Sequence, residues 1–121
     1  MLQILVVDDS KTIRREIAAA MGAAGFAVVE AEDGLAGLDK ARQQNFAMII
    51  LDVNMPRMNG LEMLETLHDD PRFVQPPVLF LTTEADRTLM ERARKAGAKG
   101  WMIKPVGMDH LVNTVKALTS R

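Results

Sequence analysis

The sequence predicts an α/β protein, a doubly wound sheet of five parallel strands in the order 2-1-3-4-5 with five helices. Short apolar segments alternate with stretches in which apolar residues recur at helical spacing. The short segments are apolar along their whole length, which is typical of parallel strands covered by helices on both faces. Right-handed crossovers then limit the arrangement to a doubly wound sheet, for which 2-1-3-4-5 is a common order.

Strands and helices alternate along the whole chain. The predicted strands are residues 2–7, 26–29, 47–51, 78–81 and 100–103. Helical spacing is marked by Ile13, Ile17, Ala20, Met21 and Ala24, by Leu61, Leu64 and Leu67, by Leu89, Met90 and Ala93, and by Leu111, Val112, Val115 and Leu118. The second helix, residues 34–43, has the weakest pattern because Gly37 lies inside it and its apolar stripe is thin.

Composition excludes several classes of protein. With 121 residues, 48% of them hydrophobic and 26% charged, the chain suits one globular domain, and we expect residues 1–121 to form it without an output domain. The net charge of −1 favours neither nucleic acid nor a membrane surface as partner. Cysteine is absent and no segment resembles a signal peptide or a membrane span, so we expect a cytoplasmic location. Met21, Met48, Met63 and Met90 fall in apolar patterns and should fill the core.

Polar residues follow four of the predicted strands. They are Asp8 and Asp9 after the first strand, Asp52 after the third, Thr82 and Thr83 after the fourth, and Lys104 and Pro105 after the fifth. The carboxyl ends of the first and third strands flank the order reversal, where such sheets place their functional crevice. Each residue alone has a local explanation, such as a helix cap at Asp9 or Ser10. Three carboxylates in one crevice, however, repel one another unless a cation offsets them.

This pattern favours a Mg²⁺ site with an anion beside it. Carboxylate oxygens suit Mg²⁺, which usually takes one or two of them and keeps several waters. Thr82 offers a hydroxyl donor and Lys104 an ammonium, the groups that an anion bound to the metal would need. A carboxylate beside Mg²⁺ can act as the nucleophile in phosphoryl transfer and form an acyl phosphate. The residues themselves leave the phosphoryl donor open.

Four motifs resemble those of a known family. The segments LVVDDS, LDVNMPRMNG, FLTTEAD and GAKGWMIKPV, in this order and at these separations, are similar to the receiver domain of two-component response regulators, close to the single-domain chemotaxis type. The resemblance covers the chain nearly end to end and implies the flavodoxin-like receiver fold. It also implies a signalling switch that catalyses only its own phosphoryl transfer and autodephosphorylation, and not an enzyme that acts on other substrates.

The resemblance implies a role for each residue of the predicted site. Asp52 matches the phosphoacceptor, which takes a phosphoryl group from a phosphohistidine of a sensor histidine kinase. Asp9, the Asp52 carboxylate and the backbone carbonyl of Asn54 would bind Mg²⁺ directly. Asp8 would act mainly through a metal-bound water, and Lys104 would pair with the phosphoryl oxygens.

The resemblance also implies a switch that reaches the surface. Thr82 would swing in to hydrogen-bond a phosphoryl oxygen, and Trp101 matches the aromatic position whose rotamer follows it. Pro105 matches the position of a cis Lys-Pro bond. A downstream protein target would dock on the face formed by helix 4, strand 5 and helix 5, and a phosphatase is a further candidate partner.

The lifetime of the phosphorylated form is expected to depend on residues at the mouth of the site. Asn54 and Glu84 match positions that tune attack by water in this family, and both are of the fast-hydrolysing type. Thr83 and Trp101 depart from the family pattern, because a smaller residue is usual at position 83 and an indole is bulkier than the usual ring at position 101. Thr83 is expected to narrow access to Asp52.

Three alternative functions remain open. A flavodoxin-like FMN carrier shares the topology, but Asp8 and Asp9 would repel its phosphate, and a colourless protein would exclude it. An aspartate-based phosphatase shares the nucleophile but needs a DxD motif that the chain lacks, and turnover of an exogenous phosphate ester would favour it. A purely structural interaction module would not need the set of Asp, Thr and Lys residues.

Overall fold

All five predicted strands and all five helices are present in the computed structural model, which describes residues 1–120. In chain order they are β1 (Gln3–Val7), α1 (Lys11–Ala23), β2 (Ala27–Ala31), α2 (Gly34–Gln43), β3 (Met48–Leu51), α3 (Gly60–His68), β4 (Val78–Thr82), α4 (Arg87–Lys95), β5 (Gly100–Ile103) and α5 (Met108–Thr119). One boundary affects the site: Thr82 is the last residue of β4, whereas the strand predicted from the sequence ended at residue 81.

The strands form one parallel sheet in the order β2-β1-β3-β4-β5, which confirms the predicted fold class. β1 and β3 are neighbours, and their register pairs Val7 with Leu51. The two strands therefore end at the same level. Asp8 and Asp52, each the next residue along its strand, are brought to the same edge at the order reversal.

Helices cover both faces of the sheet. Successive strand side chains point to opposite faces, so in β1 Leu5 and Val7 pack into one cluster while Ile4 and Val6 pack into the other. The first cluster is closed by α2, α3 and α4, and the second by α1 and α5. Burial on both faces explains why the strands are apolar along their whole length.

Helix α2 forms as predicted despite Gly37. A β-carbon at Gly37 would lie 2.8 Å from the sulfur of Met63 and 3.0 Å from a methyl of Val7. The glycine therefore allows α2 to approach both β1 and α3 closely, which offsets its low helix propensity. None of the helices formed by residues 1–120 has the length and apolar character needed to cross a membrane.

The expectation that the methionines fill the core is correct for Met21, Met48 and Met63 but wrong for Met90. The first three are at most 1% exposed, whereas Met90 is 37% exposed. Met90 lies on α4, which buries only Ala93. An apolar stripe of three residues suffices to predict the helix, but it does not show how much of that stripe the sheet covers.

Candidate functional site

The acidic residues meet at the carboxyl ends of β1 and β3. Asp8 and Asp52 are 3% and 7% exposed, and Asp9 is exposed. One carboxylate oxygen from each of the three lies within 4.8 Å of the others. The three carboxylates that the sequence predicted to converge therefore do lie close together. Hard oxygen donors at this separation suit Mg²⁺, so the residues present fit the predicted metal.

Lys104 lies across the two buried carboxylates. Its Nζ is 2.7 Å from Oδ2 of Asp8 and 3.0 Å from Oδ2 of Asp52. Burial by itself lowers the pKa of Lys104, but the hydrogen bonds to Asp8 and Asp52 outweigh burial and raise that pKa above its usual value. Lys104 is therefore held as an ammonium.

One lysine does not compensate three carboxylates. Burial raises the pKa of Asp8 above its usual value, although Lys104 and the backbone N–H of Ser10 act in the opposite direction. A buried carboxylate whose charged form is costly is a group that a bound divalent cation would stabilise. The raised pKa of Asp8 is thus in line with the cation site that the three carboxylates suggest.

The carboxylate of Asp52 is held from two sides. Its Oδ1 accepts a hydrogen bond from the backbone N–H of Val53 at 2.7 Å, while its Oδ2 faces Lys104. Behind it, the N–H of Gly60 donates to the carbonyl of Val53 at 3.0 Å, and a β-carbon at Gly60 would lie 1.9 Å from the carbonyl oxygen of Asp52. The start of α3 can pack this closely against the Asp52 backbone only because residue 60 has no side chain.

Three more of the predicted residues form a hydrogen-bonded group around Glu84. The side-chain amide of Asn54 donates to Oε2 of Glu84 at 2.7 Å, and the indole N–H of Trp101 donates to the Glu84 carbonyl at 2.9 Å. The fully buried Thr82 accepts a 3.3 Å hydrogen bond from the Glu84 N–H. Trp101 is half-buried, with its ring centroid 5.1 Å from that of Phe80. Glu84 thus connects the mouth of the site to β5.

Thr83, Pro105 and Ser10 also have defined environments. Thr83 is exposed beside the buried Thr82. The peptide bond between Lys104 and Pro105 is cis, as the resemblance implied. Ser10 caps α1 by accepting the N–H of Ile13, so the local explanation proposed for Ser10 is also correct.

Two arginines near the site were not predicted. Arg14 on α1 donates to the backbone carbonyl of Asp8 at 2.7 Å. Arg57, in the loop before α3, has a φ of 66° and pairs with the buried carboxylate of Asp33, the N-cap of α2. Arg57 follows a proline in a turn, which is a weak signal for such a conformation. No pattern in the sequence distinguishes Arg14 from the exposed Arg15 beside it.

The parallel sheet, with its acidic crevice and its lysine at the order reversal, defines the receiver class of signalling domain. The chain belongs to the response regulator receiver domain family, and the family model matches residues 4–116.

Two chemotaxis proteins and one solved structure illustrate the similarity. The chain is 35% identical to the chemotaxis protein CheY of Pseudomonas aeruginosa, covering 99% of this chain and 98% of that one. It is 37% identical to CheY1 of Helicobacter pylori over 86% of each chain. The structure of CheY4 of Vibrio cholerae matches with a TM-score of 0.89 and 36% identity, over 98% of both chains. The chain is therefore a receiver domain of the CheY-like type, a component of two-component signalling.

Proposed function

We propose that Asp52 accepts a phosphoryl group from the phosphohistidine of a sensor histidine kinase. The observation that carries this proposal is the position of Lys104, whose ammonium lies 3.0 Å from Asp52 and 2.7 Å from Asp8 while Asp9 completes the acidic cluster. A nucleophilic carboxylate, a fixed cation and a set of oxygen donors are the parts that phosphoryl transfer needs.

In the transfer, a carboxylate oxygen of Asp52 attacks the phosphorus as the phosphorus–nitrogen bond of the donor breaks. The bonding electron pair stays on the departing imidazole nitrogen. Lys104, held as an ammonium, pairs with the incoming phosphoryl oxygens, and the Thr82 hydroxyl donates to one of them. Mg²⁺ would be held by Asp9, Asp52 and the carbonyl of Asn54, with Asp8 acting mainly through a water, and when bound it would offset phosphoryl charge.

Acetyl phosphate tests the phosphoacceptor without a kinase. With Mg²⁺, it is expected to give an alkali-labile label that EDTA abolishes. Asp52→Asn should remove the label, whereas Asp39→Asn, on the exposed side of α2, should keep it. Full labelling of Asp52→Asn would show that the assignment is wrong. Repeated turnover of an exogenous phosphate ester would instead support the phosphatase alternative.

We infer further that the phosphorylated form is short-lived. Asn54 and Glu84 are joined by a 2.7 Å hydrogen bond at the mouth of the site, and both are polar enough to orient a water in line with the phosphorus. Thr83, exposed between Thr82 and Glu84 in the sequence, slows this reaction somewhat. Glu84→Ala should lengthen the lifetime of the label and Thr83→Ala should shorten it. A label that lasts many hours in the unmutated protein would contradict this.

The downstream target is proposed to dock on the face formed by α4, β5 and α5. This face carries the exposed side chains of Met90 and Ile103, and a groove of about 430 Å³ runs between α4 and β5 beside Trp101. Beryllofluoride with Mg²⁺, a mimic of the aspartyl phosphate, should shift NMR amide signals of these elements more than those of the C-terminal half of α1. Equal shifts throughout the domain would count against a localised surface.

A further inference from the structure

Arg14 is an unusually buried arginine for a side chain on the outer layer of the fold. Its side chain is only 13% exposed, whereas the neighbouring Arg15 is 64% exposed. A guanidinium in such a position is costly unless its charge and its N–H groups are paired. Its Nε lies 3.1 Å from a carboxylate oxygen of Glu30 on β2, and its Nη1 donates at 2.7 Å to the backbone carbonyl of Asp8.

The bonded carbonyl belongs to the peptide group that links Asp8 to Asp9. On the other side of Asp8, its backbone N–H donates to the carbonyl of Ala31 at 3.1 Å. The side chain of Asp8 also accepts the N–H of Ser10 at 2.9 Å. The backbone of the acidic pair is therefore held by α1 from one side and by β2 from the other.

Asp9 depends on this backbone more than Asp8 does. The carboxylate of Asp8 is held by Lys104 and by the Ser10 N–H. Within residues 1–120, the Asp9 carboxylate makes no hydrogen bond and no ion pair, and it is exposed. Its position relative to Asp52 is therefore determined by the backbone from which it projects, and the hydrogen bond from Arg14 fixes that backbone.

We propose that Arg14 is a positioning residue for the cation site, acting through the Asp8 carbonyl to place the Asp9 carboxylate, with Glu30 as its anchor. This inference rests on the proposed function, since it takes Asp9 and Asp52 as Mg²⁺ ligands. Groups that hold metal ligands in place typically change metal affinity by about 10–100-fold when they are removed.

The sign of the effect separates positioning from simple electrostatics. Arg14 carries a positive charge near a cation site, so if charge alone mattered, its removal would tighten Mg²⁺ binding. Positioning predicts the opposite. Arg14→Met keeps the aliphatic stem and removes the donors. Arg15→Met removes the same charge from a residue that lies 3.6 Å from the same Glu30 but makes no hydrogen bond to Asp8, which makes it the matched control.

The test is the dissociation constant for Mg²⁺, followed by NMR amide shifts, together with urea unfolding of each variant. We expect the dissociation constant to rise by about 10-fold in Arg14→Met and to change by no more than about two-fold in Arg15→Met. Arg14→Lys should give an intermediate value, because its single ammonium cannot reach both partners in the same way. The Asp9 amide signal of Arg14→Met should also shift without metal. An unchanged or lower dissociation constant in a folded Arg14→Met would overturn the proposal.

Two further measurements cover the remaining outcomes. If Arg14→Met does not fold, Glu30→Gln takes its place, because it weakens the ion pair that anchors Arg14 and leaves Arg14 itself in place. A Mg²⁺ dissociation constant equal to that of the unmutated protein would then overturn the proposal. Asp9→Asn tests the underlying assumption. If the unmutated protein bound no Mg²⁺, or bound it equally well with Asp9→Asn, the proposed metal site would fail and this inference with it. Normal binding that Arg14→Met leaves unchanged overturns the positioning role alone.

Discussion

Helices α3 and α4 have the same length and are both capped by a side chain, yet they are attached to the domain very differently. Each has nine residues; Asn59 forms a capping box at the start of α3, and Asp86 accepts two backbone N–H groups at the start of α4. Only Ala93 is buried on α4. The buried residues of α3 are Gly60, Leu61, Met63, Leu64 and Leu67.

The difference divides the site into a fixed part and a part that is easier to move. Helix α3 follows the strand that leads to Asp52, and its packing keeps that residue in place. Helix α4 follows the strand that ends at Thr82, and it contributes only Ala93 as a buried residue, with Leu89 partly buried against the same core cluster. Elements with few buried apolar contacts open at the lowest free-energy cost. A rearrangement of α4 is therefore expected to cost less free energy than a rearrangement of α3.

Truncation of one apolar residue in each helix should show the largest contrast. Leu64→Ala in α3 removes a side chain that is 1% exposed, and it should lower the free energy of unfolding by about 2–5 kcal/mol. Met90→Ala in α4 removes one that is 37% exposed, and it should change that free energy by about 0.5 kcal/mol or less. Urea unfolding measures both. Equal losses would mean that α4 is packed as firmly as α3.

Phosphorylation should move Trp101 to a more buried position. The proposed hydrogen bond from Thr82 to the phosphoryl group would be worth about 1.5–3 kcal/mol, enough for a shift of roughly ten-fold or more between two packings of the indole. Beryllofluoride with Mg²⁺ should reduce iodide quenching of Trp101, the single tryptophan.

The control for this movement is Thr82→Ala, in which quenching should barely change. The bulk of the indole opposes the movement, because overpacking an interior costs about 1–3 kcal/mol. Its hydrogen bond to the Glu84 carbonyl opposes it as well if that bond must break. Unchanged or increased quenching in the unmutated protein would show that these costs prevail.

Asp33, the N-cap of α2 that pairs with Arg57 in the loop before α3, should make the stability of the domain sensitive to acid. The hydrogen bond from the Ala36 N–H, and next the pairing with Arg57, lower the pKa of Asp33 below its usual 3.8, although burial opposes them. Stability from a lowered carboxyl pKa is present above the unfolded value and is lost as the pH falls through the folded value.

Asp33→Asn isolates this contribution, because asparagine caps a helix about as well as aspartate. The unmutated protein should be the more stable of the two at neutral pH, and the difference in unfolding free energy should shrink as the pH falls below about 3.8. Arg57→Met should weaken this pH dependence without abolishing it, because the Ala36 N–H remains. A difference that stays constant on acidification would contradict a lowered pKa for Asp33.

The smallest effect is expected for the ion pair that joins the two helices. Arg92 on α4 pairs with Glu65 on α3 through two hydrogen bonds, and these side chains are 44% and 38% exposed. Exposed pairs contribute about 0.2–1 kcal/mol and are screened by salt. A double-mutant cycle with Arg92→Gln and Glu65→Gln should give a coupling of this size at low salt and almost none at high salt. Coupling that survived high salt would indicate a firmer link between the helices.

The fold was predictable because its signals are local and repeated. Each strand was marked by an apolar run, and even helix α2, with its weak pattern, was identified. The reason for Gly37 is visible only in the structure, where Met63 and Val7 leave no room for a β-carbon. The degree of burial was harder to predict. A stripe such as that of Met90 and Ala93 shows which face of a helix is apolar, but how far the sheet extends beneath it is determined by the whole fold.

The position of the site was predictable for the same reason, since parallel strands of known order bring their ends together. The contacts around it were not. Whether the indole N–H of Trp101 reaches the Glu84 carbonyl, or Arg14 rather than Arg15 reaches the Asp8 carbonyl, depends on the rotation of a helix and the path of a loop. Such details are decided by packing between residues far apart in the sequence.

Gly60 has a consequence for the mutational tolerance of the domain. A β-carbon at this position would meet backbone, the carbonyl of Asp52, and backbone cannot turn aside as a flexible side chain can. At Gly107, by contrast, nothing lies within 4 Å of an added β-carbon. In a saturation library selected for signalling, codon 60 should lose every replacement at once, alanine included, while codon 107 should accept many. A residue that does no chemistry would then look as indispensable as the aspartate it adjoins.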